Sequence, residues 1–147
     1  MNINTTLNKL ARFWIKKLKL DKHPEGGYFT NTYTSNKKIE LRGYDGFRYS
    51  CSAIYYLLTG NQFASFHIMK SDEIWHFYSG SSLTLHIIDL KGQLNKILVG
   101  PNLEEGERFQ VIVKSGCWFA ASINEKKSYS LVGCTVSPGF DYRDWKI

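Results

Sequence analysis

The densest group of side chains able to hold a metal, exchange a proton or orient a substrate is His67, Ser71, Asp72, Glu73 and His76. Glu73 can ligate a metal or move a proton, and His67 can do either near neutral pH. They lie in neighbouring strand-like runs with Lys70 to Asp72 as the bend between, so a hairpin would let them converge. The same residues also read as a polar turn followed by a rim histidine. Alternation along the strands sharpens the choice. With Glu73 inward, Trp75 and Phe77 join it while Ile74, His76 and Tyr78 face out; with His67 inward, Ser65 and Met69 accompany it. That interior is a mainly apolar cavity with a few converging polar groups, the usual make-up of a small-molecule site. The alternative is a filled core in which those groups pair off, since a buried Glu73 without partners is costly or has a raised pKa.

A second segment, His23-Pro24-Glu25-Gly26-Gly27-Tyr28, has glycines that permit backbone shapes and close approaches other residues resist. A phosphate cradle needs a different spacing and a following lysine, so the segment reads equally as the hand-over from a helix to the first strand. Cys117 has no histidine near it in sequence, and no Gly-x-Ser-x-Gly elbow occurs, which argues against nucleophilic catalysis.

The elements that must position these groups are one helix and many strands. Leu7, Leu10, Ala11, Trp14 and Leu18 form an apolar stripe and predict a helix over about 5–20, capped by Asn4 or Thr5 and stopped by Pro24 and Gly26-Gly27. Strands are expected at Tyr28 to Tyr33, Cys51–Thr59, Phe63–Met69, Glu73–Tyr78, Leu83–Asp89, Leu94–Val99, Phe109–Lys114, Trp118–Ile123 and Tyr129–Val136, with a loop or ragged hairpin over 34–49. So many short strands without α/β units imply a sandwich or a closed barrel.

The 147 residues suit one ordinary domain, and 43% hydrophobic against 22% charged residues excludes a disordered chain. No run of eighteen apolar residues exists, which argues against a spanning helix. Lys9, Arg12, Lys16, Lys17 and Lys19 interrupt any secretory core, so a cytoplasmic chain is expected. Cys51, Cys117 and Cys134 are odd in number, show no C-x-x-C run and read as buried or free thiols. The net charge of +6 is scattered beyond the helix, without the basic stripe or module that nucleic-acid binding normally uses.

Three pieces, HPEGGYF at 23–29, SDEIWHFYSG at 71–80 and LVGCTVSPGFDY at 131–142, together with Arg143 to Trp145, resemble the small cupin-like DUF985 proteins of the RmlC-like cupin superfamily. The resemblance spans nearly the whole chain, residues 1–147. It implies a mainly β fold, a double-stranded β-helix or jelly-roll barrel over about 28–147 with a leading helix, usually paired as a homodimer. His67, Glu73 and Gly80 look like the first cupin motif's retained histidine, glutamate and glycine. Met69 stands where the second histidine belongs, and Phe119 stands at the second-motif histidine, three residues after Gly116. Thr30-Asn31, Ile68 and Thr34 replace charged residues of the family pattern. Two protein ligands remain where a catalytic metal normally wants three.

The expected function is therefore a metal-independent cupin that binds a small polar metabolite, sugar- or nucleotide-related, and acts as an isomerase or epimerase. His67 and Glu73 are the candidate catalytic pair. Glu25, Tyr28, Ser65, Met69, Trp75, His76, Phe77 and Phe119 are the candidate ligand contacts, with Tyr28 and His76 as proton donors. Two alternatives stay open. One is a non-catalytic binding or structural module. The other is a metal-dependent isomerase or oxygenase, with a divalent metal at His67/Glu73 and a third ligand from His23 or His86. A homodimer is expected, since Ile74, Tyr78 and the Leu7–Leu18 stripe offer apolar surface that a second subunit or the helix could cover, with neither nucleic acid nor membrane as a partner.

Overall fold

The computed structural model describes residues 8–147. In chain order the elements are α1 (Lys9–Leu18), β1 (Asp21–Lys22), β2 (Tyr28–Thr34), β3 (Lys38–Ile39), β4 (Arg48–Tyr49), β5 (Ser52–Thr59), β6 (Phe63–Met69), β7 (Asp72–Gly80), β8 (Leu83–Ile88), β9 (Leu94–Val99), β10 (Gln110–Val113), β11 (Trp118–Ile123), β12 (Tyr129–Ser137) and β13 (Trp145–Lys146). The expected strands agree with these within two residues at each end, and the ragged hairpin over 34–49 is the β3–β4 pair.

The helix is shorter than its apolar period suggests. The Asn8 side chain accepts from the backbone N–H groups of Leu10 and Ala11, capping the first turn. At the other end Lys19 is left-handed, and its N–H bonds back to Ile15 and Lys16, so the helix stops before Pro24 is reached. The expected caps Asn4 and Thr5, and Leu7, lie outside the described residues. The inward stripe is the buried Ala11 with the half-buried Trp14, Ile15 and Leu18, packed with Leu20 against Leu57, Tyr129 and Leu131. Leu10 does not belong to it: that side chain lies off the stripe and is exposed.

The strands form two open sheets with a core between them. One has the order β1-β2-β5-β12-β7-β10 and the other β13-β6-β11-β8-β9, each built of antiparallel neighbours. Neither sheet closes on itself, so the expected closed barrel is a two-sheet arrangement whose layers join at corners. At one corner the Arg108 N–H bonds to the Leu98 carbonyl; at another the Ser65 N–H bonds to the Glu25 carbonyl. Both inner faces feed one core, with Trp75, Val111, Val132 and Cys134 from the first sheet meeting Ala64, Leu85, Phe119 and Ile123 from the second.

This topology changes how His67 and Glu73 meet. Strands β6 and β7 are consecutive but belong to different sheets, so Lys70 and Ser71 carry the chain across the core instead of turning a hairpin. Both side chains point inward and therefore face each other's sheet. On β6 the alternation slips: a bulge opposite Phe119–Ala121 puts Ala64, His67 and Met69 on the inside and leaves Phe66 exposed.

Candidate functional site

A cavity of about 180 Å³ opens between the sheets at the end where the helix hands over to β2. Its polar lining includes His23, Glu25, His67, Glu73 and Cys134. Its walls include Phe29, Ile54, Tyr56, Met69, Trp75 and Val136, with Phe140, Tyr142 and Trp145 added by the C-terminal strap.

Glu25 is the hub. Its Oε1 accepts a 2.6 Å hydrogen bond from the Trp145 indole N–H, and its Oε2 lies 3.3 Å from His67 Nδ1 and 3.9 Å from His23 Nδ1. The neighbouring glycines make this approach possible. Gly26 has φ of 116°, and a Cβ there would collide with the Phe63 carbonyl on β6. Tyr56 closes the same loop by donating a 2.6 Å bond to the Gly26 carbonyl.

The two histidines take opposite tautomers. His67 Nδ1 sits 2.7 Å from the Ser65 carbonyl, which can only accept, so the proton is on Nδ1 and the Nε2 lone pair is free. His23 Nδ1 instead accepts from the Glu25 N–H at 3.1 Å, which leaves its proton on Nε2. Phe119 supports the His67 ring from the core, with centroids 4.0 Å apart.

Burial sets the charge state. It lowers the His67 pKa to about 4 against a smaller opposing effect of the Ser65 bond, and it lowers His23 to about 4 with help from His67. Burial raises Glu25 to about 7, opposed by the Trp145 bond. Glu73 rises to about 8 through burial first and the Glu25 charge second, with the Cys134 thiol pulling the other way. Near neutrality the cavity thus presents neutral imidazoles, a mostly protonated Glu73 and a Glu25 close to half ionised.

Of the residues named from sequence, His67, Glu73, Glu25, Met69, Trp75 and the alternative third ligand His23 line this cavity. The rest stand elsewhere. Tyr28 alternates with Phe29 and so packs outward, under the helix. Ser65 is displaced by the bulge and borders an adjoining open groove, which shares His23, Pro24 and Glu25 with the cavity and adds Lys22, Gln62 and Phe63. His76 is on the outer face, between Thr135 Oγ1 at 3.1 Å and the Gln110 amide at 3.2 Å. Phe77 faces inward but packs against the core, and Phe119 lies behind His67.

Sequence reasoning missed the strap. Residues 140–147 fold back over the cavity, and β13 pairs with β6 at Met69 and Ile68. The buried Arg48 guanidinium holds Asp144 bidentately at 2.6 and 2.9 Å, while Arg143 holds Asp141. The available signal was three aromatics, Phe140, Tyr142 and Trp145, in a short charged tail.

The donor set does not fit a catalytic metal. Among the described residues no three His, Cys, Asp or Glu side chains group as a metal site. The positions that would complete a cupin set hold a thioether, Met69, and the buried phenyl ring of Phe119. His86 lies on the outer face, bonded to Ser122 at 2.9 Å, and adds no ligand.

Known proteins share this architecture. No helix among the described residues is long and apolar enough to cross a membrane. A hypothetical protein from Leishmania major superposes with a TM-score of 0.86 at 37% identity, covering 93% of this chain and 86% of its own. A protein from Shewanella oneidensis gives 0.85 at 38% identity, covering 93% and 83%. An uncharacterized protein of Saccharomyces cerevisiae is 29% identical, with 95% of this chain and 74% of the yeast protein covered. Oxalate decarboxylase from Bacillus subtilis shares only the fold, at a TM-score of 0.62 and 18% identity over 85% of this chain and 28% of its own. The family described as Cupin superfamily (DUF985) matches residues 12–147, so the chain belongs to the DUF985 family of cupins.

Proposed function

We propose that the cavity binds a single small polar metabolite, about one ring in size, without a metal. The observation that supports this reading is that His67 and Glu73, carried by opposite sheets, both line one aromatic-walled cavity. A volume of about 180 Å³ is comparable with the roughly 150 Å³ apolar cavity known to admit benzene. Nε2 of His67 offers a ligand an acceptor, and the protonated Glu73 offers a donor.

The same two groups form an acid–base pair suited to isomerase- or epimerase-like proton exchange, with Glu73 giving and His67 taking. An imidazole held near a pKa of 4 is a feeble base at neutral pH, which favours recognition without turnover. Sugar-like ligands suit the neutral polar groups. A nucleotide's phosphates suit them poorly, because among the described residues neither Lys nor Arg lines the cavity.

In this reading residues 1–147 act as one domain, with the two sheets serving as halves of a jelly-roll barrel around the ligand. Its free thiols suit a reducing, cytoplasmic setting. The scattered surface charge gives nucleic acid no footprint. A homodimer would use the outer face of the first sheet, where the row Tyr33, Ala53, Thr135, Ile74 and Ile112 crosses five strands without a charged residue. Light scattering should then give about 34 kDa, twice the 17.0 kDa of one chain.

The direct test is a thermal-shift screen of monosaccharides, nucleosides and small amines against the wild-type, H67A and E73Q proteins. Stabilisation by a screened compound that both substitutions abolish supports the reading. Failure of every compound to stabilise, or stabilisation indifferent to both substitutions, overturns it.

A further inference from the structure

We propose that the ligand of this pocket is a small organic cation, an amine or quaternary ammonium compound, seated between the carboxyl groups of Glu25 and Glu73 and the aromatic walls. This rests on the cavity being a binding pocket and adds the charge of what it binds.

The charge inventory is the first argument. The chain carries nineteen Lys and Arg, yet among the described residues none lines the cavity. The arginines nearest the strap are committed, Arg48 to Asp144 and Arg143 to Asp141. A carboxylate or phosphate entering here would meet two carboxyl groups and no counter-charge, and its desolvation would go uncompensated.

The walls are the second argument. Tyr56, Trp75 and Trp145 present aromatic surface around the carboxyl groups, and ring faces attract cations most strongly where water is excluded. Trp75 is almost wholly buried, with its ring edge-on to Tyr56 at 5.8 Å. Aromatic walls beside two carboxyl groups that neither Lys nor Arg neutralises among the described residues suit an ammonium group.

Proton coupling follows. The titratable groups facing the space are His23, Glu25, Tyr56, His67, Glu73, Cys134 and, at the mouth, Tyr142. Burial holds both imidazoles neutral above about pH 4 and pushes the Tyr56 phenol and Cys134 thiol up. Glu25 and Glu73 are left to change charge between pH 6 and 9. An arriving cation therefore displaces protons from these two carboxyls.

The test is calorimetric titration of the full-length protein with choline against its neutral carbon isostere 3,3-dimethylbutan-1-ol, and with benzylamine against benzyl alcohol. At least one cation should bind about ten-fold tighter than its isostere, and more tightly at about pH 8.5 than at about pH 6, with proton release visible between buffers of different ionisation enthalpy. E73Q and E25Q should each weaken that cation by about ten-fold or more. Because E73Q replaces a protonated carboxyl by an amide, it keeps the fold, and E25Q supplies an independent check. Cations that bind no tighter than their isosteres, bind better at the lower pH, or give no heat up to about 10 mM overturn the proposal. If neutral compounds still bind in a manner lost in H67A, the pocket survives and only its cation preference is wrong. If no compound of either kind binds, the pocket reading fails as well.

Discussion

The carboxylate neighbour of His67 is Glu25, whose Oε2 lies 3.3 Å from the imidazole Nδ1. Because Nδ1 donates to the Ser65 carbonyl at 2.7 Å, that edge of the ring is committed and Nε2 is the free nitrogen. Glu73 is then free of an orienting role and enters the cavity as a neutral acid beside Cys134. The arrangement joins three distant stretches of chain, and its consequences are measurable.

Stability should fall as pH rises above about 6.5. In the folded chain Glu25 and Glu73 hold protons up to about 7 and 8, whereas the unfolded chain releases them near 4.5, so rising pH favours unfolding across that window. His23 and His67 act in the opposite sense between about 4 and 6.5, where the unfolded chain takes up protons that the folded one refuses. The two effects offset each other below 6.5, and the carboxyls act alone above it. Denaturation of ligand-free protein should show a loss on the order of 2 kcal/mol between about pH 6.5 and 8.5, flattened in E73Q. A rise, or a loss that E73Q leaves intact, contradicts the neutral-acid assignment.

Trp145→Phe should release Glu25. The substitution removes the 2.6 Å indole hydrogen bond that opposes the upward shift of this carboxyl. A cost of about 1–3 kcal/mol is expected, together with a Glu25 pKa above its present value of about 7 by carbon-13 NMR titration. An unchanged titration would show that Trp145 does not set the charge of Glu25.

Asp144→Ala should loosen the strap without unfolding the sheets. It leaves the buried Arg48 guanidinium without its bidentate partner. Amide exchange over 140–147 should quicken by about ten-fold or more, while β5, β7 and β12 keep their protection. Uniform loss of protection across the molecule would place the effect in the core instead.

Gly26→Ala should destabilise by more than about 2 kcal/mol, because it combines a positive φ with a collision against the Phe63 carbonyl. Gly43→Ala is the control, since a Cβ there meets nothing within 4 Å even though its φ is also positive. Equal melting temperatures for the two variants would mean that backbone conformation alone, and not the approach to β6, makes Gly26 necessary.

Much of the site is legible in the order of the residues. Alternation alone puts Glu73 and Trp75 on one face of β7, and their burial agrees. Alternation fails at Ser65, because one bulge on β6 inverts the pattern between Ala64 and His67. It is silent on Tyr28 against Phe29, where adjacent aromatics give no sign of which faces inward. The strap aromatics escape assignment because nothing local shows that Arg48 draws residues 140–147 over the cavity.

Strand content, the sharing of one face of β7 by Glu73 and Trp75, and the family are all written in the chain itself, since they rest on side-chain alternation and on contiguous motifs. Folding in three dimensions settles what those patterns leave open: β6 and β7 part into different sheets, Glu25 and not Glu73 stands beside His67, and the walls are aromatic. The difference is one of range. Alternation is a property of neighbouring residues, whereas sheet partnership and cavity lining come from contacts between residues as far apart as Glu25 and Trp145, which no local pattern encodes.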